Sequence, residues 1–228
     1  NTDRMLPGLG RSILGMDWSP VEHSTLAHCS ASEIAIWDTR KRKATCIFKP
    51  QSRDGLLTIR WNFHNNFLLA SAHSGGQVCI WDRRRPDAPI CNTLAHRTSL
   101  LGMDWSVQSA TELITCGQDN VIRFWDVQLL AQHTQTPQST AIFKEQGSIN
   151  TPCPMSKVYC TPMGDKVVSI TSKLEYRDNT IWMWDAVQCK NAQVNAEVIN
   201  TPNADFIKNL AFRSDPATGQ QQCITWSA

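Results

Sequence analysis

Four side chains in one stretch have the types and spacing to form a continuous chain of hydrogen bonds. In AHRTSLLGMDWSVQSATELITCGQDNVIRFWD, residues 95–126, they are His96, Thr115, Asp119 and Trp125. His96 precedes a first apolar run, Thr115 lies in a second, Asp119 in the turn after it, and Trp125 near the end of a third. Folded side by side, the Asp119 carboxylate accepts from the imidazole, the imidazole reaches the Thr115 hydroxyl, and that hydroxyl accepts from the indole N–H. Every buried polar group then has a partner, so the chemistry expected of these residues is structural: it rigidifies a small unit of the fold.

Chemistry of other kinds finds little support. There is no Gly-x-Ser-x-Gly elbow, no His-Glu-x-x-His, no phosphate-binding loop and no Cys/His pair at metal-ligand spacing. His23, His28, His64, His73 and His133 are scattered through expected turns and strand ends and read as structural or surface residues; His73 adjoins a hairpin at Gly75-Gly76. The nine cysteines are scattered singly, with no C-x-x-C, which fits reduced thiols in a cytosolic or nuclear compartment. No catalytic residue, cofactor or metal is expected. One charged feature recurs: Arg40-Lys41-Arg42-Lys43 and Arg83-Arg84-Arg85 each follow a Trp-Asp pair within one or two residues. If the two connections are neighbours they form one basic rim, suited to an acidic partner. No aromatic residues interleave them, so nucleic-acid stacking is not indicated.

These residues need elements that repeat. Trp-Asp recurs at Trp37-Asp38, Trp81-Asp82, Trp125-Asp126 and Trp184-Asp185, at intervals of 44, 44 and 59 residues. The segment GMDWS at residues 15–19 returns letter for letter at 102–106. Trp18, Trp61, Trp105 and Tyr159 stand as aromatic anchors on the first strand of each repeat. Short strands with turn signals at this period predict an all-β fold, a partial WD-repeat β-propeller of about four and a half antiparallel four-stranded blades. The repeats are expected at about 13–48, 56–94, 95–143 and 157–199, with a truncated fifth at 206–228. A polar insertion at 128–156, rich in Gln, Thr, Ser and Pro, accounts for the long interval as a connection that contains an outer strand near Thr140–Phe143, and Asp178 is expected in the turn of the fourth repeat. The first residue, Asn1, is not Met, and a fifth Trp-Asp would fall near about position 232, so a longer protein is expected.

The runs LLASAHSGGQVCIWD, RRRPDAP, GMDWS, DNVIRFWD, YCTPMGDKVVSI, RDNTIWMWD and QCITWS together resemble the propeller of the WD repeat-containing protein fifty-nine family. The resemblance runs from about Ile13 to Ser227. It implies a scaffold subunit of the second GATOR complex, the SEA complex of yeast. Such a subunit works with other protein subunits, in the cytoplasm at the lysosome or vacuole surface, to relay amino-acid sufficiency to the target-of-rapamycin kinase. Family members are longer, with further blades and C-terminal modules. A second reading stays open, because Trp37-Asp38-Thr39-Arg40 and Trp81-Asp82-Arg83-Arg84 fit the Trp-Asp-x-Arg pattern of cullin-ligase substrate receptors, which bind a ligase adaptor.

Overall fold

The computed structural model describes residues 12–41, 43–50, 54–130, 140–171, 180–190, 196–200, 207–214 and 221–227. They form eighteen strands and one short helix. β1 (Gly15–Trp18), β2 (Thr25–Cys29), β3 (Ile34–Asp38) and β4 (Ala44–Phe48) make the first sheet. β5 (Leu56–Trp61), β6 (Leu68–His73), β7 (Gln77–Asp82) and β8 (Cys91–Leu94) make the second. β9 (Leu100–Trp105), β10 (Glu112–Gly117), β11 (Val121–Leu130) and β12 (Thr140–Asn150) make the third. β13 (Met155–Cys160), β14 (Lys166–Thr171) and β15 (Thr180–Asp185) come next; the helix α1 (Ala186–Lys190) then precedes β16 (Ala196–Asn200), which completes the fourth sheet. β17 (Ile207–Ser214) pairs with β18 (Gln221–Ser227) in a two-stranded fifth. Within each sheet the strands are paired antiparallel in chain order, and the first strands stack in succession, β1 on β5, β5 on β9 and β9 on β13. This is the blade arrangement of a partial propeller, as the repeat period predicts.

The core is divided among the gaps between blades. Along β6, Leu68, Ala70 and Ala72 pack toward blade three, while Leu69 packs toward blade one. With neighbours on both sides, all six β6 residues are buried, as are all six of β10. Two-sided burial explains why the middle strands read as mostly small and branched apolar residues rather than as a polar–apolar alternation, with the few polar residues buried as well. The WD tryptophans of blades two to four, Trp81, Trp125 and Trp184, each face the preceding blade.

Close approach is set at a few backbone positions. Gly76 has φ 82°, and its carbonyl accepts from the N–H of both Ala95 and His96 at 3.0 Å. This places the β6–β7 hairpin against the loop that carries His96. Between blades three and four, a Cβ on Gly102 would lie 2.7 Å from the Lys157 Cα, so glycine lets the first strands touch.

Two expectations need correction. The outer strand expected near Thr140–Phe143 is present but longer, leaving less of 128–156 as connection: β11 and β12 extend as a long pair from Val121↔Asn150 to Leu130↔Thr140, and β13 begins at Met155. Blade three therefore runs past residue 143. The polar composition misled because an extended hairpin carries polar side chains where its faces meet water. Tyr159 is not the anchor of blade four. Trp18, Trp61 and Trp105 pair through Leu26, Leu69 and Leu113 to the WD tryptophans, and the residue paired through Val167 to Trp184 is Cys160. Tyr159 occupies the position of Asp17, Arg60 and Asp104, one residue earlier. The helix α1 was not anticipated; Asp185 caps it by accepting from the N–H of Val187 and Gln188. Arg42, His133 and Asp178 lie outside the described residues.

Candidate functional site: buried hydrogen-bond chains and a basic rim

In blade three, the Trp125 indole N–H donates to Thr115 Oγ1 at 2.9 Å. Thr115 Oγ1 lies 2.8 Å from His96 Nε2, and His96 Nδ1 lies 2.8 Å from Asp119 Oδ1. The bonds assign the tautomer: the hydroxyl donates to Nε2, and Nδ1–H donates to the carboxylate. His96 and Thr115 are fully buried. Burial holds the His96 pKa below its ordinary value despite the carboxylate, so the ring is neutral in this chain. Asn120, the next residue, takes the left-handed turn conformation with φ 59°. The second oxygen of Asp119 has no hydrogen bond among the described residues and faces Arg123 Nη2 at 3.7 Å.

Blade two builds the same chain from different positions. The Trp81 indole donates to Ser71 Oγ at 2.8 Å, Ser71 Oγ lies 3.1 Å from His73 Nε2, and His73 Nδ1 lies 3.4 Å from the Asp54 carbonyl. His73 comes from the end of β6, not from the loop before the blade. It is buried completely, a core histidine rather than a ligand-facing one. Blade one shortens the chain to one bond, Trp37 indole to His28 Nδ1 at 2.9 Å, and in blade four Trp184 donates to Ser169 Oγ at 2.9 Å. His28, Ser71, Thr115 and Ser169 share one register, each two residues beyond the residue paired with a WD tryptophan. Reasoning from sequence found only the blade-three version. The signal it passed over is a polar residue at the centre of each second strand.

The family described as "WD domain, G-beta repeat" matches residues 43–82 and 89–126. The chain carries WD repeats. Each match begins in or beside an outer strand and ends with the Trp-Asp of the following blade, so a WD repeat as a stretch of sequence straddles two blades and links them covalently. A WD repeat-containing protein of Dictyostelium discoideum is 30% identical over 222 residues, 95% of this chain and 11% of that protein. The chain thus spans about a tenth of that relative's length.

A second polar series was missed entirely. At one position, the first strands of blades one to four carry Asp17, Arg60, Asp104 and Tyr159. Asp17 Oδ2 accepts from the Trp61 N–H at 2.8 Å, and Asp104 Oδ2 from the Cys160 N–H at 3.0 Å, so each carboxylate ties its WD repeat to the next blade. The Trp61 and Trp105 indoles donate back to the carbonyls of Asp17 and Arg60, at 3.2 and 3.3 Å. Arg60 lies 3.8 Å from Asp17, 3.7 Å from Asp104 and 5.6 Å above the Tyr159 ring. Tyr159 bonds in turn to Asn209. Burial, outweighing Arg60, pushes Asp104 up to about 6 and raises Asp17. The recurring Asp of GMDWS was the available clue.

The rim residues meet in one cleft of about 300 Å³ lined by Arg40, Arg83 and Arg84 together with Glu22 and Asp38. Their guanidinium groups are already engaged. Arg40 holds Asp38 through Nε and Nη2 at 2.9 and 2.8 Å, and Arg84 holds Asp82 likewise at 2.9 and 2.6 Å. Both remain largely exposed, 74% and 59%. Both Arg83 and Arg84 lie over the Phe67 ring, at 5.1 and 4.4 Å, but Arg83 differs in clamping Glu22 of blade one at 2.9 and 2.6 Å, with only 22% of its side chain exposed. Hydrogen bonds from Arg83 hold Glu22 down at about 2. Arg85 engages Asp82 through a backbone bridge, and Lys41 and Lys43 are exposed. Sequence reasoning gave these cations one role; the structure separates a structural arginine, Arg83, from two held open to solvent.

Most of the thiols are in the core, and Cys223 is exposed. Six of the nine are buried, and burial pushes Cys29 up to about 11 and Cys79 up to about 12, so they stay protonated and unreactive. Among the described residues no three His, Cys, Asp or Glu side chains converge on a metal position, and no helix is long and apolar enough to cross a membrane.

Proposed function

We propose that this WD-repeat chain is part of a non-enzymatic protein-interaction scaffold, a subunit of a nutrient-sensing complex of the GATOR/SEA kind. In that role it relays amino-acid sufficiency to the target-of-rapamycin kinase at the lysosome or vacuole surface. The observation that supports the scaffold reading is the state of the polar residues. His28, His73 and His96 and the hydroxyls of Ser71, Thr115 and Ser169 are consumed in buried chains behind the WD tryptophans, whereas Arg40 and Arg84 stand exposed and immobilised in adjacent blades. An arginine fixed by its own aspartate loses little freedom when a carboxylate docks on its remaining N–H edge. The choice of complex rests on the sequence resemblance.

The test is Arg40→Glu with Arg84→Glu, introduced in cells into the protein that contains this chain, followed by recovery of its partners and measurement of kinase output on amino-acid withdrawal. Loss of co-purifying subunits with an unchanged thermal melt supports the reading. An unchanged partner list and kinase response would reduce the rim to a solvated turn. The matching placement of Arg40 and Arg84 beside Trp-Asp pairs favours one other reading, a cullin-ligase substrate receptor. Recovery of a ligase adaptor, lost in the same variant, would select it.

A further inference from the structure

A second site lies away from the rim, where the first strands of consecutive blades converge. A cavity of about 130 Å³ is lined by Leu14 ahead of β1, Leu57, Thr58 and Arg60 of β5, Gly102 and Met103 of β9, and Lys157 of β13. Among the described residues, its only charged lining groups are Arg60 and Lys157. Arg60 is ion-paired with Asp17 and Asp104 at 3.8 and 3.7 Å, too far for hydrogen bonds, and each of these carboxylates already accepts a backbone N–H of the next blade, whereas Lys157 is left to balance its own charge. Lys157 has no ion-pair partner among the described residues, and its strongest charged neighbour is Arg60, of like sign. A half-buried ammonium held beside a guanidinium is unfavourable unless something compensates it.

We propose that this cavity receives the side chain of a glutamate from a partner protein, its carboxylate held between Lys157 and Arg60. Size and walls choose the ligand. The volume is roughly four times a water's share of liquid and below the ~300 Å³ usual for drug-sized ligands, which suits one side chain. Leu14, Leu57 and Leu101 line the same cavity and suit the methylenes of glutamate better than the shorter aspartate or a bare ion. The site uses none of the rim residues, so it stands or falls independently of the docking reading given above.

The probes are acetyl-Leu-Glu-Leu-amide and acetyl-Leu-Gln-Leu-amide, titrated calorimetrically into the 228-residue chain. The glutamate peptide is expected to bind more tightly by about tenfold or more, the scale of one charge-assisted contact. Lys157→Met should abolish the difference while leaving the thermal midpoint unchanged or higher, and Lys157→Arg should preserve it. Equal binding of the two peptides would overturn the proposal. So would acetate binding as tightly as the peptide, or anionic phosphatidylserine vesicles being bound in its place. If Lys157→Met fails to fold, the peptide pair and Lys157→Arg still decide.

Discussion

At the level of single residues, the molecule shows one problem solved four ways. Each WD tryptophan buries an indole N–H that must donate somewhere, and the acceptor is histidine, serine, threonine or serine at one register. Removing the far end of the longest chain should be felt. Asp119→Ala leaves the buried His96 Nδ1–H unpartnered, and a loss of about 1–3 kcal/mol is expected in denaturant melts. The histidines also make stability depend on pH. Burial lowers the pKa of His28, His73 and His96, so the folded state binds fewer protons than the unfolded chain, and stability falls as pH drops through the ordinary value near ~6.5. Asp104 opposes this, because its raised pKa of about 6 makes the folded state bind more protons between there and the ordinary carboxylate range. Melts at several pH values should show His28→Ser flattening the acid-side loss and Asp104→Asn steepening it. A pH dependence unchanged by either would refute the assignment.

At the level of strands and turns, backbone geometry decides what can be exchanged. Gly76 combines φ 82° with a Cβ position only 2.1 Å from the His96 carbonyl oxygen, whereas a Cβ on Gly55 would meet nothing closer than 4.0 Å. Gly76→Ala is expected to cost more than about 2 kcal/mol and Gly55→Ala less than about 0.5 kcal/mol. Side-by-side thermal melts give the comparison. The same scale shows what the sequence could reveal. The Trp-Asp period was legible because every blade must return a tryptophan to the same packed position. The register of blade four was not, because the cysteine at its anchor position carries no aromatic signal and the adjacent Tyr159 does. The extent of β11 and β12 was hidden too, since pairing beyond the core depends on backbone bonds to which polar side chains are indifferent. Arg83 looked like its neighbours because sequence cannot show that Glu22, sixty-one residues away, folds beside it. Arg83→Ala should therefore lower the melting temperature where Arg40→Ala does not, and Arg83→Glu paired with Glu22→Arg should recover part of the loss.

For the molecule as a whole, the inter-blade cores make each blade's stability depend on the blade beside it. Trp61 and Trp105 are each 1% exposed, because the preceding blade covers the ring and supplies a carbonyl to the indole N–H. Trp18 occupies the same register in blade one yet is 54% exposed, with Met16 at 60% beside it and Ile13, Leu14 and Val21 about half exposed. An apolar surface of this kind tends to find cover by association. The 228-residue chain is thus expected to self-associate reversibly as its concentration rises. Sedimentation velocity across a concentration series measures this directly. Trp18→Gln with Met16→Gln should shift the chain toward monomer while changing its melting temperature little, since both side chains are already in water. Rim variants such as Arg40→Glu should leave the association as it was. A chain that stays monomeric throughout, or one whose association ignores Trp18 and Met16 but responds to Arg40, would mean that this face is stable in water as it stands.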